Sequence, residues 1–83
     1  MVEFGFENTR DDFVESNIDG EFRGWDGDTL FVLENGQVWE QVDPTSSVFF
    51  RAYRPRVVIS RGMFNFRMKI EGLNKRVTVR RVE

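Results

Sequence analysis

Apolar and polar residues alternate along the chain from Ile18 onward, and short turn sequences interrupt this alternation. A period of two residues is typical of β-strands that bury one face. The segments that show this pattern are residues 18–25, 29–34, 37–42, 48–53, 56–60, 63–70 and 75–82. A sheet of short strands must curl to bury a core and to remove its open edges. We therefore expect an all-β fold, a small five- to six-stranded antiparallel barrel or meander.

The loop at residues 43–47 and the segment before the first strand narrow the choice of fold. An OB-like barrel usually has a helix between its third and fourth strands, but the loop at residues 43–47 is too short for one. We therefore predict an SH3-like barrel, with the OB-like barrel as the alternative. Residues 1–17 are acidic without a sustained period, and we interpret them as an N-terminal arm with a short helical turn around residues 10–15. Residues 18–83 then form a single small β-barrel domain.

Two turn dipeptides set the predicted register of the first half. Residues 26–27 (Asp-Gly) and 35–36 (Asn-Gly) favour two-residue hairpin turns, which would join three strands into a meander. The second turn places Val32 opposite Trp39, so that Trp39 lies on the face away from the core with Trp25 near it. Either the curl of the barrel or the arm covers this second face, or Trp39, Leu30 and Val32, together with Trp25, form an exposed patch that contacts a partner.

The second half of the chain separates into one apolar face and one basic face. A four-residue loop at residues 71–74 places Met68 opposite Val77, and a tight turn at residues 61–62 places Ile59 opposite Phe64. The predicted core face is Val57, Ile59, Phe64, Phe66, Met68, Ile70, Val77 and Val79. The cations on the reverse face are Arg56, Arg67, Lys69, Arg76 and Arg80.

This basic face has like charges directly opposite each other, Arg56 with Arg67 and Lys69 with Arg76. Each such pair costs from a few tenths to about 1 kcal/mol. Residues 1–43 carry twelve acidic side chains against two basic ones, whereas residues 44–83 carry ten basic against two acidic, for a net charge of −2. Either the acidic arm lies across the basic face, or an anionic ligand binds there. Because one small domain brings its halves together, internal neutralisation is favoured.

The composition offers little for catalysis or for a metal site. The chain has no Cys and no His, which removes disulfides, the commonest general base and the commonest metal ligand. Residues 26–28 (Asp-Gly-Asp) lack the further ligands of a calcium loop, and the glycines are scattered at turns instead of forming a phosphate loop. We therefore expect no enzyme, no cofactor and no metal.

A second kind of partner is suggested by residues 49–54, where aromatic and basic residues interleave. Such a mixture can stack bases and neutralise phosphates of a single strand, with Tyr53 and Phe50 as the stacking residues. However, Phe49 and Phe50 are adjacent and point to opposite faces of a strand, so at least one belongs to the core. A pI near 5.2 also argues against a dedicated nucleic-acid binder. Nucleic acid is therefore the alternative partner and not the favoured one.

Four blocks of the β part carry a resemblance to a known family. They are Gly24-Trp25-Asp26-Gly27-Asp28-Thr29, Asn35-Gly36-Gln37-Val38-Trp39, Arg54-Pro55-Arg56-Val57-Val58-Ile59 and Ile70-Glu71-Gly72. Over residues 18–82 the chain resembles a family of small uncharacterised bacterial proteins, mainly proteobacterial. The resemblance rests on turn and core residues, so it implies a fold and no catalytic or metal residues. Many members begin with a secretion signal, which implies a periplasmic or secreted location; none is visible here, which leaves a cytoplasmic location open.

Together these patterns predict a soluble, monomeric, non-enzymatic interaction module. No apolar run approaches the roughly 20 residues of a membrane-spanning helix. The expected partner is a protein or an anionic envelope component, and the alternative is a single-stranded nucleic acid bound through the basic face. The candidate contact residues are Trp25, Trp39, Arg56, Arg67, Lys69, Arg76 and Arg80.

Overall fold

The computed structural model describes residues 13–83, and within this range the chain forms eight β-strands and no helix. The predicted all-β antiparallel architecture is confirmed, with more strands than the five or six expected. Within the same range there is consequently no helix long and apolar enough to cross a membrane. The strands are β1 (Phe13–Asn17), β2 (Glu21–Trp25), β3 (Leu30–Val32), β4 (Val38–Gln41), β5 (Val48–Tyr53), β6 (Arg56–Arg61), β7 (Phe66–Ile70) and β8 (Arg76–Arg81).

Six strands form one curled antiparallel sheet in the order β1-β6-β7-β8-β4-β3. The two edge strands approach each other where Ile18 bridges Leu33, just beyond the ends of β1 and β3. A backbone hydrogen bond of 2.8 Å from Glu34 N to Asn17 O lies beside this bridge. The curl turns one face of the sheet inward, so alternate residues of its strands enter a common core. The buried apolar residues are Ile18, Phe22, Trp25, Phe31, Leu33, Trp39, Val57, Ile59, Met68, Ile70, Val77 and Val79.

The predicted β7–β8 hairpin is confirmed. Met68 lies opposite Val77, and Phe66 lies opposite Val79, as the four-residue loop requires. Met68, Val77 and Val79 are almost completely buried, and Phe66 packs against the core from its margin. The alternation of side chains in these two strands therefore sorts apolar groups inward, as the sequence pattern indicates.

The β6–β7 turn is longer than predicted. It contains residues 62–65, so Ile59 lies opposite Met68 and not opposite Phe64. A shift of four residues is even, so each strand residue keeps its predicted face. Phe64 is the exception, because it lies in the turn with 91% of its surface exposed. Its assignment to the core was wrong.

The β3–β4 turn also differs from the prediction. It has three residues, 34–36, and Leu33 N donates to Gln37 O over 3.0 Å across it. Three-residue turns of this kind are the commonest alternative to two-residue turns in hairpins. The register slips by one residue, so Trp39 lies opposite Phe31. Because side chains alternate with a period of two, this slip moves Trp39 from the outer face into the core.

The hairpin predicted between the first and second segments, residues 18–25 and 29–34, does not form. The chain bends at Gly20, which divides the predicted strand 18–25, and β2 pairs with β5 in a separate two-stranded ribbon. Residues 26–29 form a loop in which the Thr29 hydroxyl donates to Asp26 Oδ1 over 3.0 Å. The Asp-Gly dipeptide therefore belongs to a connection between two sheets and not to a tight turn.

The predicted boundary of the N-terminal arm needs a correction. Phe13–Asn17 form β1, which pairs with β6 from Phe13 opposite Ser60 to Asn17 opposite Arg56. The predicted helical turn does not extend over these residues, which belong to the sheet. Val14 packs against the core, and this contact favours a strand over an arm. The rest of the predicted arm, residues 1–12, lies outside the described residues.

A β-bulge in β2 supplies a sharp test of the ribbon. Gly24 has φ 105°, and a Cβ atom there would lie 2.0 Å from the Val48 carbonyl oxygen. Gly20 has φ 81°, but a Cβ atom there would meet no atom within 4 Å. Gly20→Ala should cost about 1–2 kcal/mol of unfolding free energy through backbone strain alone. Gly24→Ala should cost several kcal/mol more in urea titrations, because the clash is with backbone. Equal losses for the two variants would contradict the pairing of β2 with β5.

Candidate functional site

Three basic side chains project from neighbouring strands on the outer surface of the curled sheet. They are Arg67 and Lys69 of β7 and Arg76 of β8, and we call them the cationic face. Lys69 lies directly opposite Arg76. All three side chains are exposed, and they alternate with the buried Met68 and Val77. The period of two that fills the core therefore also forces these cations outward.

The two other predicted cations of this surface are paired with acids. A nitrogen of Arg56 lies 3.2 Å from a carboxylate oxygen of Glu15 on β1. A nitrogen of Arg80 lies 2.8 Å from a carboxylate oxygen of Glu40 on β4. Both pairs join an acid of the first half of the chain to a base of the second half. The predicted internal neutralisation is therefore present at these two positions.

The predicted opposition of Arg56 and Arg67 does not occur. The longer β6–β7 turn places Ser60 opposite Arg67. On the other side of β6, Asn17 lies opposite Arg56. Of the two like-charged pairs expected across the sheet, only that of Lys69 with Arg76 is formed.

Within residues 13–83 the cationic face has no acidic partner. No carboxylate of this range forms an ion pair with Arg67, Lys69 or Arg76. The Lys69 ammonium donates a hydrogen bond of 3.2 Å to the carbonyl oxygen of Leu73. Like charges directly opposite each other in a sheet are destabilising, by about 0.2–1 kcal/mol for a pair. An anion placed between Lys69 and Arg76 would offset that cost.

Trp25 and Trp39 are buried, so their predicted place in an exposed patch is wrong, whereas Leu30 and Val32 are exposed as predicted. Each indole has only 2% of its surface exposed. The Trp25 N–H donates to the Ser46 hydroxyl, and the Trp39 N–H donates to the Gln37 side-chain oxygen, both over 2.9 Å. The Trp39 ring also packs edge-on against Phe66, with 5.2 Å between ring centroids. Both indoles are therefore core residues whose polar atoms are satisfied.

The outer side of the β2–β5 ribbon carries two exposed aromatic rings. Phe49 and Tyr53 are 81% and 76% exposed, and they lie four residues apart on the same side of β5. Arg51 lies between them, and one of its nitrogens is 2.7 Å from a carboxylate oxygen of Glu21. The same carboxylate binds Arg23, with 3.2 Å between the charged atoms. Because the two arginines share one carboxylate, these three residues leave a single net positive charge on the aromatic side of the ribbon.

Phe50, predicted to stack bases beside Tyr53, faces the other way. It packs against the core, and its ring centroid lies 6.4 Å from that of Phe22. Adjacent residues of a strand point to opposite sides, so the exposed neighbour is Phe49. Any base stacking on β5 would therefore use Phe49 with Tyr53.

The β6–β7 turn presents two apolar side chains that the sequence pattern did not indicate. Met63 and Phe64 are 88% and 91% exposed, and we call them the hydrophobic tip. The turn is closed by a hydrogen bond of 2.6 Å from Gly62 N to Asn65 O. The predicted two-residue turn at residues 61–62 placed Met63 and Phe64 in a strand, so the sequence pattern did not identify the hydrophobic tip. Asn65, a residue type favoured in turns, was the signal that the turn continues beyond Phe64.

Polar groups that could suggest a ligand site instead serve the loops. The buried side-chain oxygen of Gln41 accepts a hydrogen bond of 2.8 Å from Gly27 N. Its amide nitrogen donates to the carbonyl oxygens of Asp43 and Ser46, both at 2.8 Å. In the part of the chain that the structure describes, no three acidic side chains are grouped to hold a metal ion. This buried amide is thus a structural connection between two loops.

Comparisons with family models, with curated proteins and with solved structures give no significant match. The resemblance to a family of small bacterial proteins and the SH3-like arrangement therefore stay predictions. The candidate site rests on the geometry of the described residues alone.

The carboxyl groups of Glu21 and Glu34 both have pKa values below the ordinary range of glutamate. Hydrogen bonds from Arg51 and then from Arg23 lower the pKa of Glu21. The Arg54 guanidinium binds both carboxylate oxygens of Glu34 and lowers its pKa in the same way. Both shifts favour the charged carboxylate in the folded protein.

These shifts predict how stability depends on pH. A carboxyl whose pKa is lower in the folded state contributes stability above its unfolded pKa and loses it as the pH falls through the folded value. The unfolding free energy should therefore change little between about pH 7 and 5.5, since the chain has no His, and fall below about pH 4.5. Urea titrations of Glu21→Gln combined with Glu34→Gln should show a shallower fall. An identical acid dependence in this variant would contradict the assignment.

Proposed function

We propose that this protein is a non-enzymatic binding module whose cationic face contacts an anionic partner. The single observation that carries the proposal is Lys69 opposite Arg76, with no acidic partner within residues 13–83. Where cations of this sheet are paired, as at Arg56 and Arg80, the fold itself supplies the acid. At the cationic face no carboxylate of residues 13–83 supplies it, and we propose that an anionic partner does.

The geometry of the face supports recognition of a phosphate, sulfate or carboxylate group. Residues directly opposite each other in an antiparallel pair have Cβ atoms about 4.5–5.5 Å apart. Long side chains such as Lys69 and Arg76 can therefore reach a single anionic group from both sides, and Arg67 can contact a neighbouring one. Hydrogen bonds between charged groups are the stronger ones in proteins. An extended polyanion would contact all three.

The proposal is tested with heparin as a soluble polyanionic probe. Lys69→Gln combined with Arg76→Gln should weaken heparin binding at low salt by about tenfold or more, because two charged hydrogen bonds are lost. Unfolding free energy should stay the same or rise slightly, since the like-charge repulsion is removed. Isothermal calorimetry and urea titration give the two quantities.

The matched control removes two positive charges elsewhere. Arg23→Gln combined with Arg51→Gln lowers the net charge equally on the ribbon, where both arginines bind Glu21. The loss of heparin-binding free energy in this control should be less than half the loss in the variant that combines Lys69→Gln with Arg76→Gln. Equal losses in both variants would mean that overall charge governs binding, and absence of binding by the unmodified protein would remove the proposal.

A second candidate function is favoured by the ribbon. Phe49 and Tyr53 are exposed on one side of β5 with Arg51 between them, an arrangement suited to stacking the bases of a single-stranded nucleic acid. The ion pair of Arg51 with Glu21, a carboxylate that also binds Arg23, reduces the positive charge offered to a phosphate and weakens this candidate. A labelled oligonucleotide separates the two functions. The ribbon is favoured if the oligonucleotide no longer binds when Phe49→Ala is combined with Tyr53→Ala. It must still bind when Lys69→Gln is combined with Arg76→Gln.

A further inference from the structure

The β6–β7 hairpin combines an apolar end with basic sides. Residues 56–70 contain four basic residues and no acidic one. Met63 and Phe64 lie at the end of the hairpin and are 88% and 91% exposed. The guanidinium of Arg61 lies over the ring of Phe66, 5.4 Å from its centroid, at the base of the turn.

Among the described residues, 13–83, the hydrophobic tip contributes nothing to the core. Neither Met63 nor Phe64 belongs to the core or packs against it. Turns usually carry Gly, Pro, Asn, Asp or Ser, whose backbones or side chains suit the bends. Large apolar side chains exposed at a turn leave unfavourable contact with water, which burial against another molecule would remove. Their exposure therefore points to an occupant outside the described residues.

We infer that the hydrophobic tip inserts into an anionic lipid bilayer while the basic sides of the hairpin contact the headgroups. The inference rests on the proposed function, because it uses the cationic face and names its partner. An anionic membrane has charged headgroups above an apolar interior. The cations of this hairpin would contact the headgroups, and the hydrophobic tip would enter the apolar interior. Peripheral segments bury their apolar side about 5–10 Å below the headgroups. Met63 and Phe64 are large enough to reach that depth.

The spacing along β7 fits this arrangement. A strand rises about 3.3 Å per residue, so Arg67 follows Phe64 within about 10 Å and Lys69 within about 17 Å. With the tip inserted, Arg67 lies at headgroup level, and a tilt of the sheet brings Lys69 and Arg76 close to the surface. A protein partner would need a pocket with an acidic rim and an apolar floor to bind the same hairpin. The test below distinguishes such a protein from a lipid bilayer.

The test compares vesicles with heparin. Vesicles of phosphatidylcholine with phosphatidylglycerol should sediment the unmodified protein, and vesicles of phosphatidylcholine alone should sediment far less. Met63→Ser combined with Phe64→Ser should lower affinity for the anionic vesicles about tenfold or more, because burial of one large apolar side chain corresponds to at least that factor. Heparin binding should stay unchanged. The control, Leu30→Ser combined with Val32→Ser, removes two exposed apolar side chains of β3 and should bind vesicles normally.

Insertion itself is measured with a single label. The chain has no Cys, so Met63→Cys provides one site for a dye whose emission depends on polarity. Its emission should shift to the blue on anionic vesicles, whereas the dye on Asn74→Cys, in the β7–β8 loop, should not respond. The buried Trp25 and Trp39 report whether each variant is folded.

The outcomes separate the two proposals. If heparin binds while anionic vesicles do not, or if the tip variant binds vesicles normally, the lipid inference is overturned and the proposed function remains. In that case the hydrophobic tip would instead contact a protein partner. If the protein binds neither probe, both proposals are overturned.

Discussion

The register of the β7–β8 hairpin connects the core of this protein to its candidate site. Met68 opposite Val77 packs the inner side of the sheet, and the next pair along the strands, Lys69 opposite Arg76, faces outward. Because side chains alternate, the first pair cannot be buried without exposing the second. The core is favoured by burial of apolar surface, which outweighs a repulsion of a few tenths to about 1 kcal/mol between two exposed cations. The fold thus holds two positive charges together that would otherwise separate.

The fold places five of its arginines in ion pairs within residues 13–83, and none of these five belongs to the cationic face. Acids from the first half meet bases from the second half at positions far apart in the chain. These ion pairs are Glu15 with Arg56, Glu21 with Arg51, Glu34 with Arg54 and Glu40 with Arg80. Exposed pairs of this kind contribute little to stability, but they remove local charge. The cationic face on β7 and β8 lies outside these pairs, and within it Arg67 is the residue nearest along the strand to the hydrophobic tip of the β6–β7 turn.

The sequence allowed the fold class and the cationic face to be predicted, but not the tryptophans or the tip. Strand alternation in β7 and β8 is strong, so Met68, Val77, Lys69 and Arg76 were assigned to the correct faces. Turn length is a weaker signal, because Asn-Gly fits turns of two or three residues. One extra residue there moved Trp39 into the core, and two more residues in the β6–β7 turn exposed Phe64. The pairing of β2 with β5 depends on contacts distant in sequence, which local patterns do not contain.

The central claim, that the fold sets Lys69 against Arg76 with no acidic partner among residues 13–83, is tested most directly by a double-mutant cycle. Unfolding free energies are measured for Lys69→Gln, Arg76→Gln and the two combined, at low and at high salt. The account predicts a repulsive coupling between the two positions of a few tenths to about 1 kcal/mol at low salt, which shrinks at high salt. No coupling at low salt, or an attractive one, would contradict it.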